Sequence, residues 1–131
     1  MMQEKIKVLM IDDEERFCIT TARILETRNI SVDILTKGEE AIPELKKKPY
    51  DVVLLDLKMP GISGVEILER IKKMNHPPEV IILSGHASAE IAVKTTLLDA
   101  YDYLLKPCDP EDLIVKILQA YERMHQKQSE L

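Results

Sequence analysis

The feature of this sequence that most constrains its fold is an alternation of short apolar runs with polar segments of helical length. Three runs, residues 5–11, 51–55 and 79–83, are almost continuous Val, Ile and Leu, which is typical of strands covered on both faces. Two more, residues 31–35 and 101–104, alternate polar and apolar side chains, as strands at a sheet edge do. The sequence therefore predicts three central strands and two edge strands.

Between and after these runs lie five segments long enough to be helices, at residues 15–28, 39–47, 64–74, 89–98 and 110–125. Repeated strand–helix units with short links form a parallel sheet covered by helices on both faces. We therefore predict a three-layer, doubly wound (βα)₅ fold of the flavodoxin-like α/β class. With the second and fifth strands at the edges, the strand order is 2-1-3-4-5. Pro43 lies inside the second helix and is expected to weaken its first turns.

Charged side chains follow the apolar runs where the strands end: Asp12 and Asp13, Asp56, and Lys106. In the predicted order the topological switch lies between strands one and three, which places Asp12 and Asp13 beside Asp56. Adjacent strands are ~4.8 Å apart, and crowded carboxylates repel each other unless a cation lies between them. This edge of the sheet is therefore predicted to hold a divalent metal and a phosphoryl group.

Length and charge limit the classes of protein to which the chain can belong. Its 131 residues suit one domain, predicted at residues 1–125, followed by a polar tail or linker stub at 126–131. The net charge of −5 offers no basic footprint for nucleic acid or an anionic membrane. No apolar stretch approaches the ~20 residues that cross a bilayer, so we expect a cytoplasmic protein. Cys18 and Cys108 have no metal-ligand spacing and are expected to be reduced structural thiols.

Four motifs together resemble those of a known family. They are the acidic pair Asp12-Asp13, the segment LLDLKMPGISGVEIL around Asp56, the segment ILSGHAS at the end of strand four, and DYLLKP with Lys106-Pro107. Over essentially its whole length the chain resembles the CheY-like receiver domain of two-component response regulators.

The resemblance implies that Asp56 is the phospho-acceptor. It also implies that Asp13 and Asp56 bind Mg²⁺ (or Mn²⁺) directly, that the Lys58 backbone carbonyl completes the protein ligands, and that Asp12 acts mainly through bound water. Mg²⁺ prefers an octahedron of oxygen ligands and retains several waters, which leaves a place for a phosphoryl oxygen.

The resemblance assigns roles to four further residues. Lys106 pairs with the phosphoryl group, Ser84 donates a hydroxyl hydrogen bond to it, and Tyr103 moves inward when Ser84 is drawn toward the phosphoryl group. The peptide bond before Pro107 is cis. The face formed by the fourth helix, the fifth strand and the fifth helix is the expected surface for an effector domain or a homodimer partner.

The implied partner is a sensor histidine kinase or a histidine phosphotransfer protein, which donates the phosphoryl group. The chain then hydrolyses its own aspartyl phosphate slowly and turns over no external substrate. Phe17 either anchors the donor or packs in the core, and the sequence leaves both open. Lys58 and His86 are expected to border the entrance to the site.

Three residues depart from the family pattern: Asp99 stands where glycine is usual, Cys108 where phenylalanine is usual, and Gly85 where alanine is common. An acid such as Asp99 can adopt a left-handed conformation at this position, at some cost. Cys108 removes packing volume, and Gly85 widens access to the site. These changes bear on switching and on the lifetime of the phosphoryl group, but they remove no chemical group from the site.

Three alternatives share the fold or the nucleophile. A haloacid-dehalogenase-like phosphatase places a second acid two residues after the nucleophile, whereas this chain has Lys58 there and no cap domain. A flavodoxin-like FMN carrier needs a Ser, Thr and Gly-rich loop after strand one, whereas residues 12–15 are all acidic. The third is a docking module that works without phosphorylation.

Overall fold

The structure, a computed structural model, describes residues 5–85 and 88–129. Five strands alternate with five α-helices, in the order β1 (Ile6–Ile11), α1 (Glu15–Glu26), β2 (Ile30–Leu35), α2 (Ala41–Lys47), β3 (Val52–Leu55), α3 (Gly64–Lys72), β4 (Glu79–Ser84), α4 (Ala89–Leu97), β5 (Asp102–Leu105) and α5 (Pro110–Ser129). All strand pairs are parallel and the sheet order is β2-β1-β3-β4-β5. The predicted fold class and strand order are confirmed.

The three central strands are those with nearly continuous apolar sequence. Every residue of β3 and β4 is buried, and β1 exposes only Lys7. Successive side chains point to opposite faces of a strand, so Met10 joins one core with α1 and α5, whereas Leu9 and Ile11 join a second core with α2 and α3. The edge strands β2 and β5 are only partly buried, as their alternating sequences predict.

All five helices differ from the prediction at one boundary: α1, α3 and α4 end one or two residues before the predicted residues 28, 74 and 98. The second helix was expected from residue 39, but Gly38–Glu40 form a turn of 3₁₀ helix and α2 begins at Ala41. Pro43 therefore lies in the first turn of α2, where a missing N–H breaks no hydrogen bond within the helix.

At the other end of the chain, α5 continues to Ser129, past the predicted boundary at residue 125. Lys127 Nζ lies 3.3 Å from Oε1 of Glu79, whose residue is only 2% exposed. This contact joins the last turns of α5 to the start of β4.

Among the helices that the structure describes, none is both long and apolar enough to span a bilayer.

Candidate metal-binding site at the carboxyl edge of the sheet

Backbone hydrogen bonds between neighbouring strands bring the predicted site residues to one edge of the sheet. The Asp56 N–H donates to the Ile11 carbonyl at 3.0 Å, and the Lys106 N–H donates to the Ser84 carbonyl at 2.9 Å. Asp12 follows β1 in the same way. Each charged residue thus stands one position beyond a paired strand, so the parallel sheet sets their side chains next to one another.

Three carboxylates meet at this edge. Asp12, Asp13 and Asp56 each offer an oxygen that lies within 4.8 Å of the other two. Asp12 and Asp56 are 2% and 5% exposed, whereas Asp13 is open to solvent. Oxygen donors of this kind are the ligands that Mg²⁺ prefers. The donor set therefore fits a divalent cation that can be reached from solvent on the Asp13 side.

The protonation chemistry of Asp12 supports the same interpretation. Burial raises the pKa of its carboxyl above the ordinary value, and bonds to Lys106 and to the Glu14 N–H offset only part of that effect. Two nearly buried carboxylates are costly to ionise together, and the single charge of Lys106 beside them offsets only part of that cost. A divalent cation among the three oxygens would remove this cost.

The loop after β3 lies close to Asp56. The Lys58 N–H lies 3.3 Å from Asp56 Oδ1, and the Lys58 side chain is exposed at the edge of the site. Ligation of a metal by the Lys58 carbonyl remains a prediction. His86, the other residue expected at the entrance, lies outside the described residues.

Lys106 is the cation of the site. Its Nζ lies 2.5 Å from Asp12 Oδ2, 2.9 Å from Glu14 Oε1 and 3.9 Å from Asp56 Oδ2. The ammonium also lies 4.4 Å from the centre of the Phe17 ring. Burial lowers the pKa of Lys106, but the bonds to Asp12 and Glu14 outweigh burial and hold the pKa above its ordinary value. Lys106 therefore stays charged.

Glu14 is the site residue that sequence reasoning missed. In the sequence, Glu14 is part of an acidic loop that would repel phosphate, whereas in the structure its carboxylate accepts a hydrogen bond from the Lys106 ammonium. The available signal was a third acid directly after the pair Asp12-Asp13. Because Lys106 is 92 positions away along the chain, the pattern alone could not identify the contact.

Ser84 and Tyr103 lie on the last two strands of the sheet. Ser84 ends β4 and is fully buried, and Tyr103 in β5 is half-buried against the core that contains α2 and α3. Burial, and then the charge of Asp56, raise the pKa of the Tyr103 phenol. The phenol therefore lies close enough to the candidate acceptor to sense its charge. Movement of Tyr103 with Ser84 remains a prediction.

Two glycines shape the loop next to Asp56. Gly61 has a φ of +89°, a conformation that other residues rarely adopt. Gly64 is needed for close approach, because a Cβ at this position would lie 2.5 Å from Leu57 Cα and 2.7 Å from the Asp56 carbonyl oxygen. The first residue of α3 is thus pressed against the backbone that carries the candidate acceptor.

The structure describes all three residues that depart from the family pattern, Asp99, Cys108 and Gly85. Asp99 takes the left-handed conformation, with a φ of +62°, and its carboxylate accepts hydrogen bonds of 2.9 and 3.1 Å from Arg123. Cys108 packs half-buried against the core that contains α1 and α5. A Cβ at Gly85 would meet no atom within 4 Å, so the space beside it is open.

Two further expectations concern Pro107 and Phe17. The peptide bond between Lys106 and Pro107 is cis, as the resemblance implies. Phe17 is half-buried and packs against the core that contains α1 and α5. Its ring also lies beside the ammonium of Lys106, so it helps to form the wall of the site. A role for Phe17 as donor anchor stays untested.

Comparison with known proteins gives consistent results. A family model described as the response regulator receiver domain matches residues 8–118. The transcriptional regulatory protein ZraR of Escherichia coli is 29% identical over 125 residues, which cover 95% of this chain and 28% of ZraR. The chain thus spans little more than a quarter of the length of this relative.

Solved structures share the fold and its dimensions. A CheY-like response regulator receiver domain protein from Methanospirillum hungatei has a TM-score of 0.89 and 28% identity, with 94% of this chain and 98% of that chain covered. The beryllofluoride-activated NtrC4 receiver domain dimer has a TM-score of 0.85 and 33% identity, with 90% and 98% covered.

Proposed function

The chain belongs to the response regulator receiver domain family of two-component signalling, and from that membership we propose that Asp56 accepts a phosphoryl group from a histidine kinase or a histidine phosphotransfer protein. The observation that carries the proposal is the position of Asp56, 5% exposed, beside Asp12, Asp13 and the ammonium of Lys106. A carboxylate oxygen of Asp56 forms a bond to phosphorus while the bond from phosphorus to the donor imidazole nitrogen breaks.

Asp13 and Asp56 would hold Mg²⁺ or Mn²⁺ directly, with the Lys58 carbonyl as a further ligand and Asp12 acting mainly through bound water. The close approach of the three carboxylates supports this assignment. The bound cation would supply positive charge that offsets the charge of the incoming phosphoryl oxygens.

Lys106 and Ser84 supply the remaining contacts to the phosphoryl group, as a positive charge and a hydroxyl donor. Phosphoryl transfer asks a protein mainly for positioning and charge stabilisation, so these groups suffice without a separate general base. Tyr103 then responds to the displacement of Ser84. The state ends when water attacks phosphorus, the bond to the Asp56 oxygen breaks, and inorganic phosphate leaves.

The output surface that we propose is formed by α4, β5 and α5, and serves an effector domain or a second copy of the chain. Five large apolar side chains of these elements are exposed: Val93 at 60%, Leu97 at 81%, Leu105 at 48%, Val115 at 49% and Leu118 at 44%. Lys116 of α5 and Asp102 of β5 form an ion pair of 2.8 Å, which fixes these two elements to each other. The NtrC4 receiver domain, which shares this fold, forms a dimer, and this supports a second copy of the chain as one of the two proposed partners.

A cytoplasmic location is part of the proposal. The net charge of −5 gives no support for direct nucleic-acid binding by this chain.

The direct test is intact mass after incubation with acetyl phosphate and Mg²⁺. We expect one phosphoryl adduct on the natural chain and none on Asp56→Asn. Asp51→Asn is the matched control, because Asp51 precedes the same strand at the opposite edge of the sheet. It should be modified as the natural chain is.

Each other result has a definite meaning. No adduct on a folded natural chain, together with no Mg²⁺ binding, would favour the phosphorylation-independent docking module. A phosphoryl adduct that persists in Asp56→Asn would show that a residue other than Asp56 accepts the phosphoryl group. Multiple turnovers on an external phosphoester, dependent on Asp56, would instead favour the phosphatase.

A further inference from the structure

The ammonium of Lys106 has three N–H donors, and in this structure two of them already have partners. One bonds to Asp12 Oδ2 at 2.5 Å and one to Glu14 Oε1 at 2.9 Å. Asp56 Oδ2, at 3.9 Å, lies beyond hydrogen-bond distance. Lys106 is therefore turned toward the loop after β1 rather than toward the candidate acceptor.

Local structure directs Glu14 toward Lys106. Glu14 stands at the N-cap position of α1, yet its side chain makes no capping hydrogen bond to the helix. Its N–H instead donates to Asp12 Oδ1 at 2.9 Å, a short turn that holds the backbone of Glu14 beside Asp12. With no capping role, the Glu14 carboxylate is free to reach the ammonium 92 positions further along the chain.

Glu14 differs from the carboxylates of the candidate metal centre. Its side chain is 62% exposed, and it is not among the three acids whose oxygens converge. Removal of its charge therefore leaves the proposed ligand set complete. Its contact partner is a cation that the proposed phosphoryl group also requires.

From this geometry we infer that Glu14 is a positioning residue that competes with the phosphoryl group for Lys106. The inference rests on the proposed function. In the unmodified protein Glu14 helps to hold the ammonium toward the loop after β1, 3.9 Å from Asp56 Oδ2, and phosphorylation of Asp56 draws the ammonium away from Glu14 toward a phosphoryl oxygen. Glu14 thereby opposes formation of the phosphorylated state and favours return to the resting state.

The test uses beryllofluoride, which adds to an aspartate as a phosphoryl mimic without group transfer. Its affinity would be measured by calorimetry at saturating Mg²⁺ for the natural chain, Glu14→Gln and Glu15→Gln. Glu15 is the matched control, because it is the exposed neighbour with the same charge and no contact to Lys106. An exposed ion pair such as that of Glu14 with Lys106 contributes little free energy, so its removal should have a small effect. We therefore expect Glu14→Gln to bind beryllofluoride about two- to fivefold more tightly than Glu15→Gln.

Two further measurements distinguish a positioning role of Glu14 from a role as metal ligand and from a merely structural role. Mg²⁺ affinity without beryllofluoride should be equal in the two variants; a loss confined to Glu14→Gln would make Glu14 a metal ligand and overturn the inference. Thermal unfolding should also be equal, which excludes a merely structural effect.

The inference is also overturned if both variants bind beryllofluoride equally, since bulk charge would then explain the effect, or if Glu14→Gln binds more weakly. Failure of the folded natural chain to bind beryllofluoride would instead overturn the proposed function, and this inference with it. A natural chain that binds while Asp56→Asn does not keeps the proposed function intact whatever Glu14 does.

Discussion

Single residues in this protein can have two constraints at once, and Asp99 is the clearest case. Its backbone is in the left-handed region, which favours glycine. Its side-chain carboxylate accepts a hydrogen bond from the Arg123 guanidinium. Burial raises the pKa of Asp99, but the contacts with Arg123, Lys72 and Lys127 together outweigh burial and hold the pKa below its ordinary value. Because the carboxylate is 61% exposed, solvent screens these ion pairs and the conformational constraint should dominate.

Variants of Asp99 test this order of effects. Asp99→Asn keeps a side chain that tolerates the left-handed conformation and should change the free energy of unfolding by less than about 1 kcal/mol. Asp99→Ala loses that tolerance as well and should cost about 1 to 2 kcal/mol. Asp99→Gly should be at least as stable as Asp99→Asn. Urea unfolding measures the stability of all three variants. Equal losses of stability in Asp99→Asn, Asp99→Ala and Asp99→Gly would show that the charge of Asp99, and not its backbone conformation, is the main contribution.

The two thiols should differ in reactivity because their surroundings differ. Cys18 is fully buried, its Sγ lies 3.5 Å from the Asp12 carbonyl, and burial is the main cause that raises its pKa to about 12. At about pH 8 roughly one thiol in ten thousand would be ionised. Cys108 is half-buried, and burial raises its pKa as well.

We therefore expect a disulfide reagent at about pH 8 to label Cys108 slowly and Cys18 only after unfolding. Above pH 9.0, the ordinary value for a thiol, an unfolded chain loses the Cys18 proton that the folded chain keeps. The free energy of unfolding should consequently fall as pH rises above that value. Labelling counted by mass, with Cys108→Ser as control, checks the first expectation; rapid labelling of both thiols would contradict it.

Whole elements are tied together at the edge of the sheet opposite the candidate site. Glu79, at the start of β4, is 2% exposed and lies 2.8 Å from Arg123 Nε, 3.3 Å from Lys127 Nζ and 3.9 Å from Lys72 Nζ. Burial is the largest effect on Lys72 and lowers its pKa. A buried carboxylate is stable only with positively charged partners such as these. The ion pairs of Glu79 with Lys72, Arg123 and Lys127 therefore connect α3 and the last turns of α5 to the sheet.

The contact between α3 and the loop after β3 can be tested with one added methyl group. In Gly64→Ala the new Cβ would lie too close to Leu57 and Asp56, so the loop must shift. We expect a loss of about 1 to 3 kcal/mol in stability and weaker Mg²⁺ binding, because the shift moves Asp56.

Gly85→Ala is the matched control, since its Cβ meets no atom within 4 Å. It should leave stability and Mg²⁺ affinity close to those of the natural chain. Urea unfolding and Mg²⁺ titration measure both variants, and a Gly64→Ala protein as stable and as metal-binding as Gly85→Ala would refute the proposed tight contact.

At the scale of the whole molecule, the proposed metal site should couple to folding. A ligand that binds only the folded state stabilises it, by about 1.4 kcal/mol at a concentration ten times its dissociation constant. For a domain of this size this corresponds to an increase of roughly 5 °C in Tm. We expect Mg²⁺ to produce such an increase in the natural chain.

In Asp13→Asn, Mg²⁺ should raise Tm much less, because one of the proposed metal ligands is gone. Without metal the variant should be no less stable than the natural chain, because it removes one of three crowded negative charges. Asp112→Asn, at an exposed position on α5, should retain the increase. Thermal unfolding at constant ionic strength provides the comparison. An increase of the same size in Asp13→Asn would argue against Asp13 as a ligand.

The fold class, the strand order and the meeting of Asp12, Asp13 and Asp56 could all be predicted from the amino-acid sequence. These follow from local patterns, because runs of apolar residues mark buried strands and charged residues after parallel strands share one edge. The left-handed conformation of Asp99 was also predictable, from a single departure in a recognised pattern.

The partners of the charged residues, by contrast, could not be predicted from the sequence and depend on how the chain packs. The contact of Glu14 with Lys106 joins positions 92 apart, and Lys127 reaches Glu79 across 48 positions. Neither pair leaves a periodic signal in the sequence, because long flexible side chains can choose among several partners. That choice is made when packing of the helices on the sheet sets which charged groups lie within reach and how deeply each is buried.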